Sequence, residues 1–133
     1  MVILYLKKGN VVHFKILFLI CILSINIYAK PIIYFIISNN CTYCRGLITD
    51  VNSNQKLIQF LNTHYIAKTI VTSKQKVPKH LPFKGKVPTM IIENDGQIVG
   101  DAISGQIPSY ELLDYLTKIK ESIQTKKRTY YAY

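Results

Sequence analysis

A chain of 133 residues has room for one domain, so a second catalytic domain is excluded. Its formal net charge of +10 invites nucleic-acid, anionic-membrane or acidic-partner readings. The chain is also crowded with Ile, Lys, Asn and Tyr, a usage that A+T-rich coding produces unaided, and the charge is discounted accordingly.

Residues 1–29 read as a secretory signal: Lys7, Lys8 and Lys15 form a basic n-region, Ile16 to Ile27 an apolar h-region, and Ile27-Tyr28-Ala29 a cleavage site. The apolar run is short for a bilayer span. A buried N-terminal helix is the rival reading, but the order lysine, apolar run, alanine favours export. Cleavage near Ala29 is expected or, because Ile stands at the −3 position where a small residue is usual, an uncut N-terminal anchor that tethers the protein to the membrane. Without this segment the chain keeps fourteen basic and seven acidic side chains. Cys21 lies inside the apolar run, so Cys41 and Cys44 are the thiols left in an oxidising, periplasmic compartment.

The domain is expected over residues 30–124. Ile32 to Ile37 is an unbroken run of Ile, Tyr and Phe, which suits a strand buried on both faces. Ser38, Asn39 and Asn40 are turn and cap formers, and Leu47, Ile48 and Val51 recur at helical spacing, so a helix begins near Cys41. Free N–H groups and the positive end of the helix dipole there favour a thiolate, making Cys41 the nucleophile. Cys44, one turn on, can attack a mixed disulfide formed at Cys41. Asn52-Ser53-Asn54 interrupts the pattern and predicts a broken or kinked helix from about Cys41 to Asn62.

A second strand is expected over Tyr65 to Val71. Residues 72–86 carry five lysines around Pro78 and Pro82, which argues against a long helix. The stretch reads as a solvated loop or as a basic lip beside the site. Val87-Pro88-Thr89 opens a third strand, Asn94-Asp95-Gly96 signals a hairpin, and Gln97 to Gly100 returns as a short edge strand. Residues 101–106 read as a loop. Pro108 and Ser109 start a helix with an apolar stripe from Leu112 to Ile123, and residues 125–133 read as a flexible basic and aromatic tail.

The order strand, Cys-x-x-Cys helix, strand, loop, Val-Pro-Thr strand, Asp-Gly hairpin, helix resembles the thioredoxin-like thiol-disulfide oxidoreductases over nearly all of residues 31–123. The resemblance implies an α/β fold with a central four-stranded mixed sheet flanked by helices and with the Cys-x-x-Cys at a helix N-terminus. It implies that Pro88 follows a cis bond and lies beside Cys41, and that the Val87 main chain pairs with an extended substrate peptide. Thr42 and Tyr43, between the cysteines, join Val87 and Pro88 as substrate contacts and tune the direction of exchange. The expected activity is disulfide exchange with protein thiols and disulfides, without a cofactor beyond the Cys41–Cys44 pair, recharged by a separate redox partner.

Departures bear on that direction. Phe35 stands where thioredoxins carry a buried Asp, six positions before the first cysteine. Tyr43 matches the second residue of the glutaredoxin Pro-Tyr pair, but Thr42 replaces the proline. Gly100-Asp101 supplies one glycine where glutaredoxins use two to hold glutathione. Arg45 either favours the thiolate or is a solvent-facing helix charge.

Other readings stay open from the residues alone. Cys41, Cys44, His64 and His80 have the ligand count for zinc, but their spacing is unlike a zinc finger and the histidines read as ordinary surface residues. A Cu(I) carrier also places Cys-x-x-Cys between strand and helix, yet leaves Val87-Pro88-Thr89 unexplained. Haem attachment fails because Arg45 stands where His is required. A non-catalytic binding module would use the cysteines as a structural disulfide, which across two residues closes too small a loop to stabilise much. Nucleic-acid binding is set aside because export is incompatible with the usual targets, although Tyr130, Tyr131 and Tyr133 lie near Lys127 and Arg128.

Overall fold

The computed structural model describes residues 29–132, so the expected leader, apart from Ala29, lies outside the described residues. Strand β1 (Ile32–Ile37) is the axis of the sheet, with Ile33 and Ile36 fully buried on opposite faces. It pairs in parallel with β2 (Ile66–Val71), Ile32 opposite Ile66, and antiparallel with β3 (Thr89–Asn94), Tyr34 opposite Ile91. β4 (Gln97–Ile98) continues the order β2-β1-β3-β4. This is the expected mixed sheet. A fifth, two-residue strand β5 (Ile103–Ser104) pairs with β3 where the sequence reading has only loop. Between Glu93 opposite Ile98 and Met90 opposite Ile103 the edge gains two residues, a bulge that breaks one strand into two.

A parallel pair needs a crossover, here α1 (Thr42–Ser53) followed by α2 (Gln55–His64). Asn54 breaks the two with extended dihedrals, and the break is satisfied on both sides. Its amide donates to the Val51 carbonyl at 3.2 Å, and its Oδ1 accepts from the Leu57 amide at 3.1 Å. Tyr65, expected as the first residue of β2, instead ends α2, with its amide on the Leu61 carbonyl and its hydroxyl on the Leu116 carbonyl at 2.8 Å.

α3 (Ser109–Tyr131) packs on the same sheet face as α1 and α2. Leu47, Leu57, Leu112 and Leu116 are fully enclosed there, each worth roughly 1.5–3 kcal/mol relative to exposure. The helix runs well past Ile123, correcting the flexible tail expected from residue 125. The apolar stripe ends, but Lys126 and Arg128 suit the negative end of the helix dipole, and Thr125 and Thr129 bond back to the carbonyls of Glu121 and Thr125.

The other sheet face carries no helix among the described residues. Residues 72–88 cover it, with Leu81 buried and Val77, Phe83 and Val87 packed over Tyr34, Ile36, Ile70 and Ile91. The stretch is thus an anchored strap rather than a solvated loop. Its lysines, all exposed, project away from the sheet.

Candidate active site

The turn after β1 delivers Cys41 to the start of α1 in an extended conformation (φ −118°, ψ 108°), where it is the N-cap. Its Sγ accepts the Cys44 amide at 3.1 Å, the position an oxygen of Ser or Asp usually takes, while its carbonyl accepts from Arg45 at 3.2 Å. Cys41 and Cys44 form a disulfide with Cα atoms 5.2 Å apart. The two sulfurs differ in access. Cys44 is 1% exposed, in the interior beneath α1, whereas Cys41 is half-buried at the rim. Thr42 and Tyr43 are exposed between them.

Opposite the disulfide, the Val87–Pro88 peptide bond is cis, and the Val87 carbonyl oxygen lies 3.8 Å from Cys41 Sγ. A disulfide sulfur carries no proton, so this is a packing contact; a Cys41 thiol at the same place would have an acceptor. Pro88 is buried, and no described residue takes the Val87 N–H. The loop is held from behind. Thr89 Oγ1 donates to the Lys86 carbonyl at 2.6 Å, Thr89 and Ser104 hydroxyls are 3.1 Å apart, and the Gly105 amide donates to the Pro88 carbonyl at 2.8 Å.

Of the residues singled out from the sequence, Cys41, Cys44, Val87 and Pro88 converge, and Thr42 and Tyr43 border them. Arg45 turns to Thr42, with Nη2 3.5 Å from its hydroxyl. Phe35 lies in the apolar layer and, with Leu47, Val51 and Leu61, lines a cleft of about 200 Å³ between α1, α2 and β2. Ser104 and Gly105 were missed. A two-residue strand has no periodicity, and the glycine was the only signal available.

His64 and His80 do not join the cysteines. His64 is the last residue of α2, two before β2, with its ring tilted against Phe60 at 4.7 Å and 3.4 Å from Lys120 Nζ, and burial followed by the nearby Lys120 lowers its pKa. His80 sits 3.2 Å from Glu93, which also accepts the Tyr34 hydroxyl at 2.7 Å. That hydrogen bond holds Glu93 below the usual carboxylate range and pushes Tyr34 up to about 12. Among the described residues no cluster of three or more His, Cys, Asp or Glu could hold a metal ion.

Parallel and antiparallel strands around β1, a crossover helix capped by Cys41, and the Val87–Pro88 loop facing that sulfur define a dithiol-disulfide site on a thioredoxin-type scaffold. A family model described as thioredoxin-like domain matches residues 25–120, and the chain belongs to that thioredoxin-like family. The family together with the Cys41–Cys44 disulfide supports thiol-disulfide oxidoreductase chemistry in general terms.

Solved thioredoxins share the fold at low identity. Thioredoxin-2 of a malaria parasite, described as a component of its protein secretion machinery, is 15% identical with a TM-score of 0.57, covering 67% of this chain and 82% of the other. The germline-specific thioredoxin Deadhead of Drosophila melanogaster is 16% identical at a TM-score of 0.56, covering 67% and 80%. A thioredoxin from Thermus thermophilus is 20% identical at 0.52, covering 68% and 73%. No curated protein sequence matches the chain.

Proposed function

We propose that this chain is an exported thiol-disulfide oxidoreductase that exchanges disulfides with other proteins through Cys41-Thr42-Tyr43-Cys44. The observation that carries the reading is the asymmetry of the pair: Cys41 is reachable at the rim beside the Val87 main chain, and Cys44 is 1% exposed behind it. In the oxidised form, a substrate thiolate attacks Cys41 Sγ, the Cys41–Cys44 bond breaks, and its electron pair leaves on Cys44. A second substrate thiolate then attacks the mixed disulfide at the substrate sulfur, releasing the Cys41 thiolate, so the substrate is oxidised by two electrons and the pair reduced. Run backwards, Cys41 attacks a substrate disulfide and Cys44 resolves the adduct.

The Cys44 amide and the helix N-terminus stabilise negative charge on Cys41, which favours it as attacking and leaving sulfur. Val87 offers an N–H to a substrate backbone, with Pro88, Thr42 and Tyr43 bordering the same opening. The pair itself holds the two electrons, so exchange needs no further cofactor, and a separate redox partner resets it. Export rests on the basic and apolar order of residues 1–29.

The test is trapping. Cys44→Ser is expected to accumulate mixed disulfides through Cys41, whereas Cys41→Ser accumulates none; equal trapping by the two variants removes the assigned roles. Redox titration of the chain without residues 1–29 then separates a disulfide donor from a reductant by its midpoint.

A further inference from the structure

From residue 30 to residue 92 the chain holds a single acid, Asp50, whose two carboxylate oxygens accept from the amide and hydroxyl of Ser109. Between Asp50 and Glu93 lie seven lysines. Lys74, Lys76, Lys79, Lys84 and Lys86 belong to the strap over residues 72–88, and Lys68 faces out from β2 beside it. The nearby Glu93 is mostly enclosed, its charge held by Tyr34 and His80. Among the described residues no salt bridge engages any of these lysines.

Two features make this more than a solvated cationic face. First, the strap is anchored: Leu81 is 5% exposed, and Val77, Phe83 and Val87 pack on the sheet, so the lysines project from a fixed frame. Second, the cationic run leads directly into the site. Lys86 adjoins Val87, whose carbonyl is 3.8 Å from Cys41 Sγ, and the Lys86 carbonyl is held by Thr89 at 2.6 Å. Arg45, also exposed, directly follows Cys44.

We propose that the strap lysines, led by Lys84 and Lys86, select polypeptide substrates in which acidic residues flank the reacting cysteine. This rests on the disulfide exchange proposed above and names its substrate class. A polypeptide fits better than a membrane or a nucleic acid, because the basic run ends at a main-chain edge and a disulfide, groups that engage another backbone and another sulfur. Each exposed ion pair is weak in water, so the effect is collective: it raises the encounter rate with acidic segments and is screened by salt.

The experiment compares exchange rates of the protein with two peptide disulfides of equal length, one with Asp and Glu around its cysteine and one with Lys, together with a small uncharged disulfide. At low salt the acidic peptide is expected to react about fivefold to tenfold faster than the basic one, with the ratio collapsing in ~0.5 M NaCl. Lys84→Glu with Lys86→Glu should invert the preference, Lys84→Gln with Lys86→Gln should flatten it, and Lys56→Glu, on α2 beyond the far end of α1, should leave it intact. Equal rates with both peptides, or an unchanged preference in the double variants, overturn the proposal while exchange with the uncharged disulfide leaves the redox reading standing. Loss of exchange with every disulfide overturns both. Co-sedimentation with phosphatidylglycerol vesicles without a peptide preference also overturns it, in favour of a membrane-facing surface.

Discussion

Thr89 Oγ1 donates to the carbonyl of Lys86 at 2.6 Å, closing a clasp across the two residues that face the Cys41 sulfur. Thr89 is 2% exposed, and its hydroxyl also lies 3.1 Å from that of Ser104 on β5. The clasp therefore couples the loop carrying Val87 to the bulged edge of the sheet. Replacing the hydroxyl by a methyl keeps the shape and leaves the Lys86 carbonyl without this donor. Thr89→Val is expected to lower stability by about 1 kcal/mol, seen as a fall in Tm of about 4–8 °C. It should also slow exchange with a peptide disulfide more than with a small disulfide, since only the peptide uses the Val87 backbone. An equal slowing of both would show that the clasp acts on the dithiol rather than on substrate placement.

Gly100 sits in the bulge between β4 and β5 with φ +70°, and a Cβ there would run into the Tyr115 hydroxyl and lie 2.7 Å from Ile119 Cδ1. Tyr115 in turn donates to the Asp101 carbonyl at 3.0 Å, so α3 holds the bulge from below. Gly96, in the hairpin, has φ +77° but open space around it. Both alanine variants meet the left-handed backbone penalty of about 1–3 kcal/mol, and only Gly100→Ala must also displace α3 side chains. Chemical denaturation should therefore find Gly100→Ala the more destabilised of the two. Matching losses would mean that Tyr115 and Ile119 move aside without cost.

Local chemistry made part of this molecule readable from sequence. Ile32 to Ile37 has no polar residue to place in water, so it had to be an interior strand, and Asn54 could break a helix because its side chain caps α2. The position of Cys41 at the head of α1 is set by the polar triplet before it. What was hidden depends on partners far along the chain. β5 is two residues long and exists because β3 offers an edge, and α3 outlasts its apolar stripe with Lys126 and Arg128 placed towards the negative end of its dipole. The strap looked solvated because its lysines outnumber its apolar residues, yet Leu81, Phe83 and Val77 are spaced among them so as to meet the sheet.

Asp50 lies on α1, yet it serves the N-terminus of α3. No side chain of α3 or of Pro108 caps that helix; instead Asp50 Oδ2 accepts the Ser109 amide at 2.7 Å and Oδ1 the Ser109 hydroxyl at 3.1 Å, while Asn54 Nδ2 donates to the same hydroxyl. A carboxylate at the positive end of a helix dipole makes a charge-assisted bond, so Asp50→Ala is expected to cost about 1.5–3 kcal/mol. Asp50→Asn keeps an acceptor and should recover part of that in urea denaturation. If the alanine and asparagine variants are equally stable, the ion contributes nothing that a neutral acceptor lacks.

Glu93 gives the fold a pH dependence with a definite sign. The Tyr34 hydroxyl, foremost among its partners, lowers its pKa, with His80 adding to this against the opposing effect of burial. A carboxyl whose folded pKa lies below its unfolded value of 4.5 contributes stability that is present above that value and is lost as pH falls through the folded pKa. Tyr34→Phe removes the leading partner and should cost about 1.5–3 kcal/mol near neutral pH, the range for a hydrogen bond to a charged group. As pH falls through the lowered Glu93 pKa and the carboxyl becomes protonated in both proteins, the denaturation midpoints of the variant and the parent should draw together. Tyr34 itself, pushed up to about 12, favours the fold below its ordinary value of 10.0, and that contribution disappears as pH rises towards 12 in the parent and is absent from the variant. A constant gap between the two proteins across the acid range would show that the Tyr34 hydroxyl does not act through the charge of Glu93.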